Sequence, residues 1–165
     1  MEHQIVSKEE IAGEVYRVRL AAPLIAEAHR PGQFLILQLD TDFGERIPLT
    51  IADSSPCDGT VTIIFQAVGK TTHELAAMDV GDRIQNVLGP LGRPTKIRKV
   101  GSVVGVGGGI GAAPLYPIVR AMKEAGNRLT VILGARNKDL LILEDEMREV
   151  ADELIVCTDD GSAGR

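Results

Sequence analysis

Residues Gly107-Gly108-Gly109-Ile110-Gly111-Ala112 contain the spacing G-x-G-x-x-A, counted from Gly107. They follow the apolar run Val100 to Val106 and precede a helical pattern that begins near Ala112. In that context the chemistry on offer is the binding of a pyrophosphate. The first glycine permits a tight turn, the second lets the anion approach bare main chain, and a small third residue lets helix and strand pack closely. The amides and dipole at the helix start then face the negative charge. Close packing alone would also call for glycines, but the strand-then-helix setting favours a dinucleotide. At the end of the next strand stand Gly134-Ala135-Arg136, where an acidic residue for the adenosine ribose is usual. Arg136 suits the 2′-phosphate of NADP, the ribose or pyrophosphate of NAD, or simply a solvated loop charge, and the sequence leaves these open.

Two earlier segments could also hold an anion. In Arg46-Ile47-Pro48-Leu49-Thr50-Ile51, Arg46 and Thr50 fall on one face of an extended strand. A guanidinium there can clamp a phosphate and a threonine hydroxyl can meet a flavin ring nitrogen. Pro48 removes a backbone donor and suggests irregular pairing; the plainer alternative is an edge strand with a surface arginine. In Val68-Gly69-Lys70-Thr71-Thr72, amides and hydroxyls precede a short helix expected over 72–78. That is a second anion site, with Lys70 adding charge, and is compatible with a Thr71–Glu74 capping box. Gly89-Pro90-Leu91-Gly92 reads as a turn between domains.

Composition narrows the field. The chain has 165 residues, is 44% hydrophobic and 25% charged, and carries a net charge of -5, so it describes a folded protein and argues against nucleic-acid binding. No apolar run is long enough to span a bilayer, and residues 1–20 lack a signal-peptide profile, so no membrane role and a cytoplasmic location are expected. Cys57 and Cys157 form neither a disulfide framework nor an iron–sulfur ligand set, and His3, His29 and His73 have no metal-ligand spacing, so no metal site is expected. Only 3% of residues are aromatic, so any flavin must stack on few rings or on aliphatic groups.

The elements that would position these residues fall into two parts, expected over 1–97 and 98–165. In the first, Tyr16, Val18 and Leu20 alternate with arginines, Phe34 to Leu39 follows a Pro-Gly turn, and Thr60 to Val68 alternates again, with a last strand near Arg83 to Val87. Short strands with regular turns predict an antiparallel Greek-key β-barrel. In the second, strand 100–106, helix 112–125, strand 129–133, helix 143–150 and strand 154–158 predict a partial α/β doubly wound domain. Strand 100–106 reads as buried on both faces, and Pro114 and Pro117 are expected in the first helical turn. The pattern stops a few residues past the third strand, so the chain is expected to be a truncated part of something longer.

With these residues in hand, the chain resembles the ferredoxin–NADP reductase superfamily. Within it the likeness is to FAD-carrying small subunits of NADH-dependent reduced-ferredoxin:NADP oxidoreductases, also described as sulfide dehydrogenases. Electron-transfer subunits of dihydroorotate dehydrogenases are near relatives. The marks are RIPLTIA at 46–52, QAVGKTT at 66–72, GPLG at 89–92, GGGIGAAPLYP at 107–117, GARNKDLLILEDE at 134–146 and TDDGS at 158–162. The resemblance implies an FAD-binding barrel and an NAD(P)-binding domain that pass hydride from NAD(P)H to FAD. Electrons would then go to an iron–sulfur acceptor, a larger oxidoreductase subunit or ferredoxin. By position it implies that Pro48, Leu49 and Thr50 touch the isoalloxazine, with Thr50 the residue nearest the chemistry. Gln66, Ala67 and Val68 would line the ribityl side, and Gly69, Lys70, Thr71 and Thr72 the flavin pyrophosphate. Gly108, Gly109, Ile110, Gly111 and Ala112 would receive the NAD(P) pyrophosphate, Arg136 the adenosine side, and Asp160 and Gly161 the nicotinamide. In the broader superfamily pattern R-x-Y-S the arginine stands one residue nearer the hydroxyl than Arg46, and Leu49 replaces the aromatic. A 2Fe–2S cluster is expected only in a longer form of the chain. The alternatives are an electron-transfer subunit for dihydroorotate oxidation and a regulatory or assembly subunit without cofactors.

Overall fold

The computed structural model describes residues 3–40 and 44–164. The chain divides into two compact units, Met1–Pro94 and Thr95–Arg165.

In the first unit, strands β1 (Ile5–Ala12), β2 (Val15–Ala21), β3 (Phe34–Gln38), β4 (Arg46–Ser55), β5 (Thr60–Gln66) and β6 (Asn86–Leu91) form one antiparallel sheet in the order β1-β2-β5-β4-β3-β6. The sheet closes on itself just before β6. Gln4 bridges Arg83, Ile5 N donates to Asp82 O at 2.8 Å, and Ile84 N donates to His3 O at 2.9 Å. Closure removes the exposed edges that an open sheet would present. The alternation read in β2 is real: Val18 and Leu20 are fully buried beside Ile63 and Val61, their partners on β5. Leu35, Leu37, Ile51, Phe65, Leu75 and Ile84 complete the interior. Two short helices decorate the barrel, α1 (Pro23–Ala28) and α2 (Lys70–Ala77).

One strand is added here and two sequence expectations change. β1 carries Lys8, Glu9 and Glu10 among its apolar residues, and this edge-like composition hides it from a hydrophobic pattern. The segment 89–92 is not a turn between units, because Gly89, Pro90 and Leu91 belong to β6. Helix α2 starts at Lys70 and not at Thr72, with Gly69 as its N-cap.

The second unit has three parallel strands, β7 (Ser102–Gly108), β8 (Arg128–Ala135) and β9 (Glu153–Thr158), in the order β7-β8-β9. Helices α3 (Ala112–Glu124) and α4 (Glu144–Val150) connect them and pack against one another on the same face. Leu129, Val131, Leu133 and Met147 are buried on that face. The other face stays open: Val104 is 63% and Val106 68% exposed. Strand β7 is thus buried on one face only, contrary to the reading of its apolar run. The reason is topological. Crossovers of one hand that advance in one direction put every helix on the same side, and helices change sides only where strand order reverses.

A second correction concerns α3. Pro114 lies in its first turn, but Pro117 lies in the second and is buried, so its missing N–H removes one helical hydrogen bond. The helix ends where the Gly126-Asn127 stop was expected, with Gly126 at φ 84°. Asn127 is 3% exposed and does more than stop the helix. Its carbonyl accepts from Val100 N and Gly101 N, and its amide donates to Arg98 O and Met122 O, tying the approach to β7 onto the end of α3.

Candidate functional site

The parallel unit brings three loops to the carboxyl ends of its strands. β7 runs into a tight 3₁₀ turn over Gly109–Gly111, β8 into Arg136 and Lys138, and β9 into residues 159–162. The last two loops are joined. Asp159 N donates to Ala135 O at 3.1 Å, Asp160 N to Arg136 O at 3.2 Å, and Lys138 N to the Ser162 hydroxyl oxygen at 2.9 Å. Hydrogen bonds from the Ser162 hydroxyl and then the Ser162 amide hold the Asp160 carboxyl below its ordinary value, so it stays anionic. Arg136 and Lys138 are exposed, and neither pairs with a carboxylate among the described residues.

The glycines of the β7 turn have separate jobs. A Cβ on Gly105 would lie 2.6 Å from Val119 Cγ1, and one on Gly107 would lie 3.0 Å from Leu115 Cδ2 and 3.3 Å from Ala112 Cα. These two let α3 lie directly on β7, beside buried Ala112. Gly109, at φ 51°, makes the turn. So Gly107, expected to permit the turn, is instead a packing residue within the strand. Gly108 and Gly111 remain. Their φ values of -124° and -64° are open to any residue. Their added Cβ atoms would meet nothing closer than 3.9 Å for Gly108 and nothing within 4 Å for Gly111. The fold does not require glycine at either position. Bare main chain there, at the uncapped start of α3, is what a pyrophosphate needs. Ile110 stands partly exposed between them.

The barrel carries the second candidate. At the start of α2, Gly69 offers no side-chain cap. Thr72 Oγ1 accepts from Val68 N at 3.0 Å and Gly69 N at 2.9 Å. Thr71 Oγ1 donates to Glu45 Oε2 at 2.8 Å, so the Thr71–Glu74 capping box is absent. Lys70 is exposed and loosely paired with Glu74 at 3.8 Å. At the opposite end, Lys8 Nζ donates to Met78 O at 2.7 Å and also to Ala76 O, which complements the negative pole of the helix. Gln66 ends β5 half-buried, Ala67 is buried, and Val68 is 73% exposed.

On β4, Arg46, Pro48 and Thr50 lie opposite Gln38, Ile36 and Phe34 of β3. They face away from the core, whereas Leu35 and Leu37 of β3 point inward and are fully buried. Arg46 Nε reaches Gln38 Oε1 at 3.4 Å. Leu49 packs against the barrel core. Its half-buried side chain lies on the opposite face of the strand from Thr50. Phe34 was not singled out from the sequence, yet it stands directly across from Thr50. Gly92 abuts its ring: a Cβ there would lie 2.9 Å from Phe34 Cε1. The scarcity of aromatics was the signal that could have drawn attention to it.

Residues 106–157 match the oxidoreductase NAD-binding domain family. The chain is 51% identical over 162 residues to a Thermotoga maritima protein described as a homolog of the dihydroorotate dehydrogenase B (NAD(+)) electron transfer subunit; the match covers 98% of this chain and 57% of that one. It is 37% identical over 157 residues to the corresponding electron transfer subunit of Desulforamulus reducens, covering 93% of this chain and 60% of that one. Among solved structures, NADH-dependent reduced ferredoxin–NADP oxidoreductase superimposes with a TM-score of 0.93 at 49% identity, covering 99% of this chain and 59% of that one. Phthalate dioxygenase reductase shares the fold, with a TM-score of 0.79 at 21% identity and coverage of 98% and 51% of the two chains. This chain thus spans less than two thirds of each of these relatives. A closed antiparallel barrel, a parallel unit with a glycine turn, and these likenesses agree: the chain has a ferredoxin–NADP reductase-like fold, with an oxidoreductase NAD-binding domain match over residues 106–157.

Proposed function

We propose that the chain is the flavin module of an electron-transferring NAD(P)H oxidoreductase, with FAD on the barrel and the nicotinamide dinucleotide on the parallel unit. The observation that carries this reading is the pair Gly108 and Gly111, glycines the fold does not require, beside an uncapped helix start. The start of α2 supplies the matching feature on the barrel. Bound FAD would accept one hydride, and with it an electron pair, and release the electrons to a further acceptor.

The chain's own residues bind and orient. Main-chain amides at Lys70, Thr71 and Thr72 hold the flavin pyrophosphate, and those at 108–112 hold the dinucleotide pyrophosphate. Arg136 takes the adenosine side, and the Asp160-Gly161 loop the nicotinamide side. Thr50, Pro48 and Phe34 offer a hydroxyl and an apolar surface to the flavin ring, with Gln66, Ala67 and Val68 along its ribityl chain. Arg46, which reaches Gln38, is the candidate clamp for a flavin phosphate. No side chain is assigned as a general acid or base.

The chain works as a small subunit beside a larger oxidoreductase subunit, in the cytoplasm. No helix among the described residues is long and apolar enough to cross a membrane. A role in dihydroorotate oxidation is the second reading, favoured by the descriptions of its relatives. Purified protein should be yellow, release FAD on denaturation, and bleach on addition of NADH or NADPH. Protein that takes up no flavin would support a regulatory role instead. Co-purification of the larger subunit, followed by assay with ferredoxin or dihydroorotate, separates the two enzymatic readings.

A further inference from the structure

At the start of α2, where the proposed function places a phosphate, the chain also places a carboxylate. Glu45, immediately before β4, accepts a hydrogen bond of 2.8 Å from the hydroxyl of Thr71, the second residue of the helix. Thr71 is 6% exposed, so its hydroxyl has little room to turn elsewhere. A hydroxyl has one proton to donate, and here it is committed to Glu45. No cation pairs with Glu45 among the described residues: Lys70 turns to Glu74, and Arg46 to Gln38. An anion at this helix start therefore meets main-chain amides, no threonine donor, and an uncompensated negative charge nearby.

We propose that Glu45 is a specificity-determining residue that disfavours a terminal phosphate monoester at the start of α2 and so selects FAD over FMN. The proposal rests on the flavin reading above. The pyrophosphate of FAD spreads its charge, about one unit on each phosphorus. The monoester of FMN gathers roughly 1.5 to 2 units on one, with three acceptor oxygens to satisfy. The surplus, up to about one unit of charge at the same helix start as the exposed Glu45 carboxylate, corresponds to about a fivefold loss of affinity. Riboflavin, with no phosphate, is indifferent to Glu45.

The test is to titrate the apoprotein with FAD, FMN and riboflavin by flavin fluorescence, comparing the wild type with Glu45→Gln and Glu45→Asp. Glu45→Gln is expected to tighten FAD about fivefold, FMN about fivefold more than FAD, and riboflavin not at all. Glu45→Asp keeps the charge and is expected to keep the wild-type ranking. Equal changes for all three flavins, or an unchanged FAD-to-FMN ratio in Glu45→Gln, would overturn the proposal and leave Glu45 a structural partner of Thr71. If the wild type binds none of the three, it is the flavin reading itself that fails.

Discussion

The glycines in and before the β7 turn separate positions that the fold constrains from one that it leaves free. Gly105 and Gly107 cannot carry a side chain without displacing Val119, Leu115 or Ala112, so their replacement reports on packing. Gly109 is held at φ 51°, so a branched residue there would be strained with or without a ligand. Gly111 has neither constraint. Gly111→Val should therefore leave the circular dichroism spectrum and bound flavin intact while reducing the rate of flavin bleaching by NADH at least tenfold. A normal rate would exclude this turn from dinucleotide binding. Asn127 makes a different point at the same scale. Asn127→Ala strands the amides of Val100 and Gly101, and a denaturant titration should show a loss of roughly 2–4 kcal/mol. The Gly126-Asn127 pair was legible as a helix stop. That Asn127 also clamps the entry to β7 was not, because its partners Arg98, Val100 and Gly101 are distant in sequence.

The elements hold these residues through contacts at their ends. α2 has a bare start fit for an anion, while its far end is secured by Lys8 from β1. The parallel unit has a similar tie. Asp152, just before β9, accepts from Lys123 near the end of α3 at 2.5 Å and from Leu129 N on β8 at 2.7 Å. The Lys123 hydrogen bond first, and then the Leu129 amide, hold the Asp152 carboxyl below its ordinary value. A carboxyl with a lowered folded pKa stabilises the fold above its unfolded pKa, and that contribution disappears as pH falls through the folded pKa. The parallel unit should thus lose stability on acidification across and below the usual aspartate range. Asp152→Asn should flatten that acid limb in a urea-midpoint series against pH. An identical limb in the variant would place the sensitivity elsewhere.

For the whole molecule, a ligand bound to the folded state adds stability by mass action. FAD at about a hundredfold excess over its dissociation constant should add about 2.7 kcal/mol to the barrel unit, seen as a rise in its thermal midpoint. No rise with FAD, with a rise for FMN alone, would reverse the cofactor assignment. Phe65→Ala, which empties a site 2% exposed in the barrel core, should cost about 3–5 kcal/mol, enough to weaken flavin retention in a centrifugal-filtration assay. The sequence by itself determined what depends on neighbours along the chain. Alternation placed Val18 and Leu20 inward, an apolar run ahead of a glycine turn marked β7 and α3, and Gly126 marked the end of α3. Those signals are local because strand period, helix period and turn chemistry are set within a few residues. Tertiary structure alone decided what depends on residues brought together from afar. It showed β1 closing the barrel against residues 81–84, Phe34 standing opposite Thr50, and Leu49 turned into the core. It also set Glu45 against Thr71 and both helices on one face of the parallel sheet. In each case the deciding quantity was register or strand order, and neither can be read from one segment, because each exists only once a second segment is in place.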